Sequence, residues 1–354
     1  MTAYYAMNEY HPRVRTRRLG DHMVTAIGGG DLCLATSAAR GVAARDVERA
    51  LHEAIEFGIT LFDVAGDTDS ERLAGETVRA QRARDRVVVA TRVPILAELP
   101  GAPKRDVLRE RLPAAYVQDR VEASLRATRL EVLPLSQLPL RPAWLASPSW
   151  PELAGTCARL VREGKVLAWG AMLDEPGDDA APALVAEPWL AALSVVYHLC
   201  ERGAEALFAA AAKRELPILA RQPLAGGALA GGFGPGVKLP PRDDRQALDD
   251  DALERIAIAI AKLAALVKRE PPAVQSCDAA RQIAERAERP DHLECDDVAE
   301  LALRFVIDRG AIALPRLHRR EHLLPAIAAA AAPPLSADLV ARILELMGRG
   351  ALAS

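Results

Sequence analysis

Residues able to do acid-base or electrostatic chemistry recur in this chain at one kind of place. Asp31, Asp63, Arg92, Gln137, His198 and Arg221 each fall at or just past the end of a short apolar, β-branched run, and Asp67, Asp69 and Glu71 follow Asp63 closely. Carboxylates crowded beside an arginine and a histidine can have displaced pKa values, which suits proton transfer. Each residue also has a plain structural use. Asp63 and Arg92 can form an ion pair bridging two strands, His198 can be a hydrogen-bonded wall residue, and Asp67 and Asp69 can solvate a loop or cap the helix starting near Ser70. Metal chemistry has little support, because His292 with Cys295 and His198 with Cys200 make too sparse a ligand set. Thr68 or Ser70 as a nucleophile lacks a partnered base visible in the sequence.

The elements that must position these residues alternate in type. From Ile59 to Gly75 an apolar run ends on Asp63, passes through Gly, Asp, Thr and Ser, and enters an Ala/Leu/Glu/Arg segment, which reads as strand, polar loop, helix. The stretch from Ala43 to Phe57 puts Val47, Ala50, Leu51, Ala54 and Ile55 on one helical face, with Gly58 past its end. Further strands are expected at 31–34, 87–92, 132–138, 166–170, 192–197, 217–220 and 311–314, and further helices at 70–82, 116–128, 151–163, 204–214, 295–309 and 321–331. Strand-helix units in this number argue for the α/β class and a closed (β/α)8 TIM barrel, with the site at the C-terminal ends of the strands.

Around that barrel the chain carries three additions. Two short strands about a polar turn, over residues 15–28, form an N-terminal β-hairpin. An insertion over 232–294 precedes the eighth unit. It opens with a Gly/Pro/charged loop (232–245) placed by topology over the mouth, continues as a helix over 250–268, and carries an apparent extra helix over 278–288; this is either an ordinary seventh helical layer with an embellishment or one whose loop acts as a lid. The amphipathic tail 336–347 is a C-terminal helix.

Composition narrows the partners. With 354 residues, half of them hydrophobic, the chain suits one large domain spanning 1–354. A formal net charge of −3 leaves no electrostatic footprint for nucleic acid or an anionic membrane, so a small molecule is the default partner. No apolar run approaches the roughly 18 residues needed to span a bilayer, and the first residues lack the features of a secretory signal. Five scattered cysteines form no CxxC pair, which fits a reducing cytoplasm.

The segment Phe62-Asp63-Val64-Ala65, followed by Thr68-Asp69 and Ser70-Glu71-Arg72-Leu73-Ala74-Gly75, resembles the signature of the aldo-keto reductase family: Phe-Asp-Thr-Ala, two residues, Tyr-Gly, a gap, Ser-Glu, two residues, Leu-Gly. Residues 162–170 (Arg-Glu-Gly-Lys-Val-Leu-Ala-Trp-Gly) resemble that family's helix end and fifth strand. Residues 222–232 (Gln-Pro-Leu-Ala-Gly-Gly-Ala-Leu-Ala-Gly-Gly) resemble its loop after the seventh strand. The resemblance implies a hairpin closing the N-terminal end of the barrel and a helix packed on its outside. It also implies that a nicotinamide delivers hydride to a carbonyl, a Tyr tuned by a Lys–Asp pair gives the proton, and a His orients the substrate.

At those positions this chain has Asp63 for the Asp, Thr68 for the Tyr, Arg92 for the Lys and Pro139 for the His. An aliphatic hydroxyl is too weak an acid for the Tyr's task. Arginine can pair with Asp63 but does not deprotonate, and proline offers neither donor nor base. Ala171 with Met172-Leu173, and Ser194, stand where the family holds the nicotinamide carboxamide. Arg221 stands where an aromatic stacks on the nicotinamide, and a guanidinium plane can stack likewise. Asp31 replaces a Thr beside the dinucleotide, where a carboxylate repels pyrophosphate. The segment 314–322 resembles the one that grips the 2′-phosphate of NADPH, which implies cofactor binding by Arg316, Arg319 and Arg320; the plain alternative for these arginines is a solvated basic helix end.

Three functions are compatible with these residues. The first is a repurposed small-molecule enzyme doing non-redox acid-base chemistry (dehydration, isomerisation or cyclisation) with Asp31, Asp63, Asp67, Arg92 and His198 as its catalytic groups. The second is an NADPH-dependent carbonyl oxidoreductase whose proton comes from water or His198. The third is a non-catalytic binding or scaffold protein.

Overall fold

The structure, a computed structural model, describes residues 14–97, 106–174, 181–231, 234, 236–239, 243–247, 250–268 and 294–348. Its strands are β1 (Thr16–Leu19), β2 (His22–Thr25), β3 (Gly29–Leu32), β4 (Leu61–Val64), β5 (Val88–Arg92), β6 (Leu135–Pro139), β7 (Trp169–Leu173), β8 (Leu190–Val196), β9 (Ile218–Arg221) and β10 (Ile312–Leu314). Strands β3 to β10 form one eight-stranded sheet in sequence order, every neighbouring pair parallel. The sheet closes on itself. Gly28 N–H donates to Ala313 O (2.9 Å), Gly30 N–H to Pro315 O (2.7 Å), and Ala313 N–H to Ala26 O (3.0 Å). The fold is the expected (β/α)8 barrel.

The hairpin β1–β2 is antiparallel and caps the N-terminal end. Its Leu19 and Val24 join the apolar interior of the barrel, where Leu61, Val88, Ala90, Leu135, Ala192, Leu219, Ile312 and Leu314 pack together. Thr25 and Thr60 lock it to the chain entering β4 by reciprocal bonds, Thr25 N–H to Thr60 Oγ1 (2.8 Å) and Thr60 N–H to Thr25 Oγ1 (3.2 Å). A second, larger core lies between the sheet and its outer helices. The helix Ala44–Glu56 buries there the face read from its periodicity, Val47, Ala50, Leu51, Ala54 and Ile55. The helix Ala337–Met347 is capped by Ser336, whose oxygen accepts from Leu339 N–H, and buries Leu339, Ile343 and Met347.

Several boundaries differ from the sequence reading, most at the first and fifth barrel strands. The first barrel strand is Gly29–Leu32, two residues earlier than expected, and Leu34 already begins the helix Leu34–Ala39. Glycines 28–30 read as the end of a hairpin, yet here they serve close packing: a Cβ on Gly30 would lie 2.1 Å from the Leu314 carbonyl oxygen. Strand β7 is Trp169–Leu173, three residues later than expected, because buried parallel strands are apolar on both faces and carry no alternation to mark their limits. Of the insertion, the helix Asp250–Ala264 is described, whereas the extra helix expected over 278–288 lies outside the described residues. From the loop expected to act as a lid, Asp243 is held by Arg245 (2.6 Å) and by Arg40 (3.8 Å) at the end of the helix Leu34–Ala39.

Candidate functional site

Side chains alternate across a strand, so residues two positions on from an interior residue face inward again. Leu61, Ala90, Leu135, Ala192 and Leu219 belong to the barrel interior. Asp63, Arg92, Gln137, Ser194 and Arg221 therefore form the next layer, at the C-terminal mouth. Gly170 makes room in it, since a Cβ there would lie 3.1 Å from Gln137 Cγ.

Within this layer Asp63, 1% exposed, accepts a bidentate pair of bonds from Arg92, through Nε at 2.9 Å and through Nη2, and a further bond from Gln137 Nε2 at 2.8 Å. Arg92 Nη1 donates to Asp31 Oδ1 (2.9 Å), and Asp31 Oδ2 in turn accepts from Arg316 Nη2. The result is a continuous chain, Gln137–Asp63–Arg92–Asp31–Arg316, that bridges β6, β4, β5, β3 and the segment after β10. Asp31 reaches its place with a φ of 50°, a left-handed conformation that aspartate tolerates better than most residues. Its backbone N–H also lies 3.4 Å from Asp63 Oδ2.

These charges are fixed by their neighbours. Burial alone would raise the Asp31 carboxyl, but Arg92 and Arg316 outweigh it and hold the pKa below the ordinary carboxylate range. Burial likewise opposes the charge on Arg92, and the attraction of Asp63 and then Asp31 overcomes it, so its pKa lies above the usual arginine value. Asp31 and Arg92 thus stay ionised across the physiological range. Among the described residues, the three bonds of Arg92 to the two carboxylates leave two of its five N–H groups, one on Nη1 and one on Nη2.

The other expected site residues stand apart from this chain. His198 is 3% exposed in the turn after β8, and its Nδ1 accepts from Cys200 N–H (3.2 Å). Burial pushes its pKa down to about 4, which keeps the ring neutral. Asp67 caps the helix Thr68–Ala80, accepting from Ser70 N–H at 2.9 Å. Arg221 donates to Leu173 O (3.1 Å) and Asp174 Oδ1 (2.8 Å). Arg319 and Arg320, at the start of the helix Arg320–Ala331, make surface pairs with Glu321 (3.5 Å) and Glu53 (3.4 Å). Ala171–Leu173 lie inside β7 rather than after it.

For an NADPH, the cofactor that the resemblance implies, the fit divides. Arg319 and Arg320 have side chains 43% and 66% exposed and could hold a phosphate at little cost, since surface ion pairs are weak. Further in, Arg316 Nη2 is paired with Asp31, and Arg221 Nη2 donates to Leu173 O and Asp174, so a phosphate reaching these two arginines would share them with carboxylates.

Two features of the site were not legible beforehand. Arg316 was expected to face a phosphate and instead clamps Asp31, 285 residues away in sequence. Below the mouth, Glu71 is 0% exposed and accepts from Ser124 Oγ (2.5 Å), with Arg120 Nη2 at 3.6 Å from its other oxygen. Glu71 itself stands out in the sequence beside Asp63, whereas its partners are signalled only by Arg120 and Ser124 lying four residues apart on one helix face.

Comparison with known proteins supplies the lineage of this geometry. The sequence profile of the Aldo/keto reductase family matches residues 26–347. No curated protein matches the chain. Among solved structures, an aldo-keto reductase from Bacillus halodurans in its holo form is similar at 18% identity and a TM-score of 0.65, covering 94% of this chain and 96% of that one. The glycerol dehydrogenase of Gluconobacter oxydans has 21% identity, a TM-score of 0.68 and 95% coverage of both chains. An aldo-keto reductase from Klebsiella pneumoniae in complex with NADPH has 25% identity, a TM-score of 0.61, and coverage of 94% and 95%. A profile match spanning the barrel from the strand after the hairpin to the last helix has one consequence: this chain belongs to the aldo/keto reductase family.

Proposed function

We propose that this barrel binds a small carbonyl-bearing metabolite at its mouth and works on it without hydride transfer. Arg92 is the fixed electrophile: its two remaining N–H groups hold the carbonyl oxygen on which negative charge develops. Asp31, the more exposed of the two carboxylates in the chain of charges at 32%, is kept ionised as a weak base by Arg92 and Arg316, and takes the proton from the carbon next to that carbonyl once contact with Arg92 has acidified it. Return of the proton to a neighbouring carbon completes an isomerisation, and loss of a β-hydroxyl as water, carrying that proton, completes a dehydration. Asp63 and Gln137 position Arg92. His198 and Asp67, buried in a turn and committed to a helix cap, take no part in the reaction.

The observation that carries this reading is the bracing of Arg92 by two carboxylates at the mouth, in a chain where the motif resemblance aligns Thr68, Arg92 and Pro139 with the family's Tyr, Lys and His. The test is cofactor-free incubation in D2O with a panel of hydroxy-ketones and β-hydroxy-carbonyl compounds, followed by NMR. Deuterium incorporation or water loss is expected, reduced at least 100-fold by Asp31→Asn and by Arg92→Lys. Exchange that survives both substitutions removes the reading.

A second reading, an NADPH-dependent oxidoreductase with an atypical proton donor, is favoured by the NADPH complex of the Klebsiella pneumoniae relative and by the exposed Arg319 and Arg320. Titration of the protein with NADPH, read by cofactor fluorescence, separates the two. Saturable binding at micromolar cofactor supports the second reading; none at millimolar ends it.

A further inference from the structure

The carboxyl group of Glu71 lies outside the chain of charges at the mouth and is tied to it through the backbone. One oxygen accepts from Ser124 Oγ, and the other has no hydrogen-bond partner among the described residues, with Arg120 Nη2 at 3.6 Å. The same Nη2 donates to Gly66 O at 3.0 Å. Gly66 is in the turn that leads out of β4 from Asp63, and it is pressed on β5: a Cβ there would lie 1.9 Å from Arg92 O. The turn is also held by Ala65 N–H to Leu32 O (3.0 Å) and Asp67 N–H to Ala65 O (2.8 Å). Glu71, Arg120 and Gly66 thus form a line from a buried carboxyl to the backbone of Arg92.

We propose that Glu71, acting through Arg120, is a positioning residue that latches the turn at residues 64–68 onto β5 when ionised and releases it when protonated. The ionised carboxylate keeps the Arg120 guanidinium, whose side chain is 20% exposed, turned inward over Gly66 O. Once Glu71 is neutral, nothing in that pair opposes hydration of the arginine, and Gly66 O loses its donor. The charged groups facing Glu71 are Arg120 from the helix Ala114–Thr128 and Asp67 from its own turn. Burial pushes the carboxyl up to about 7, against the Ser124 hydrogen bond and Arg120 and together with Asp67. The latch is closed above that pH and opens below it.

Hydrogen–deuterium exchange of the Ala65 and Asp67 amides, measured on the whole protein from pH 5.5 to 8.5 and corrected for intrinsic exchange, reads the latch without any ligand. Failure here would therefore leave the functional reading untouched. Protection in the wild type is expected to rise at least fivefold through a midpoint near neutrality. Glu71→Gln should hold it at the low value at every pH, Arg120→Gln should do the same, and Arg120→Lys should restore the pH dependence. Ser124→Ala, which removes a bond favouring the ionised form, should move the midpoint to higher pH. Protection that is flat with pH in the wild type, or unchanged in Glu71→Gln, overturns the proposal.

Discussion

Replacing Arg92 by leucine removes the cation that holds Asp63 by two hydrogen bonds and leaves a carboxylate 1% exposed, to which, among the described residues, Gln137 donates from its side chain at 2.8 Å. Breaking a buried pair from one side costs about 3–5 kcal/mol, because the orphaned charge keeps its desolvation penalty and loses its partner. That is a large fraction of the roughly 5–15 kcal/mol that holds a folded domain together. The reverse substitution, Asp63→Asn, is milder, at about 1–3 kcal/mol, because Arg92 retains Asp31 and is 17% exposed. The double variant, Arg92→Leu with Asp63→Asn, contains no buried unpaired charge at this spot. It should be more stable than Arg92→Leu alone by about 2 kcal/mol or more, a coupling that a network of independent contacts would not produce. Urea denaturation at pH 7, followed by circular dichroism and by the fluorescence of the fully buried Trp169, measures all three. If Arg92→Leu costs less than about 1 kcal/mol, or the double variant costs the sum of the singles, the mouth is wetter and looser than described and Arg92 is not the braced electrophile proposed for it.

Two further outcomes follow from the same region. Because the folded-state pKa of Glu71 is raised from 4.5 to about 7, the group contributes stability that is full below 4.5 and lost as pH rises through 7. Relative to Glu71→Gln, the wild type should lose about 3 kcal/mol between pH 4.5 and pH 8, and parallel stability curves would contradict the burial of this carboxyl. Gly66→Ala should destabilise the chain by about 1–3 kcal/mol and slow turnover at the mouth, since the new Cβ meets Arg92 O at 1.9 Å and Pro94 Cδ at 2.8 Å. Wild-type melting behaviour would show that the turn can move away from β5 freely.

What the amino-acid sequence determined by itself was local. Apolar periodicity, helix caps and glycine after helix ends depend on residues a few positions apart, so the alternation of strands and helices, and hence the barrel, could be read directly. Asp63, Arg92 and Gln137 could be placed at one mouth for the same reason: each ends a strand. Strand limits at β3 and β7 were read two or three residues off, where glycines served close approach instead of a turn and where both faces of a strand were buried. Only the closed barrel decided which charges meet. Asp31 and Arg316 become neighbours because β10 returns to the segment before β3, and Glu71 finds Ser124 because two helices pack so tightly that a Cβ on Gly75 would lie 2.0 Å from Thr128 O. A side chain reaches only a few ångströms, so partners separated by 53 or 285 residues are fixed by the path of the backbone, and with them which carboxyl stays ionised and which is left to titrate.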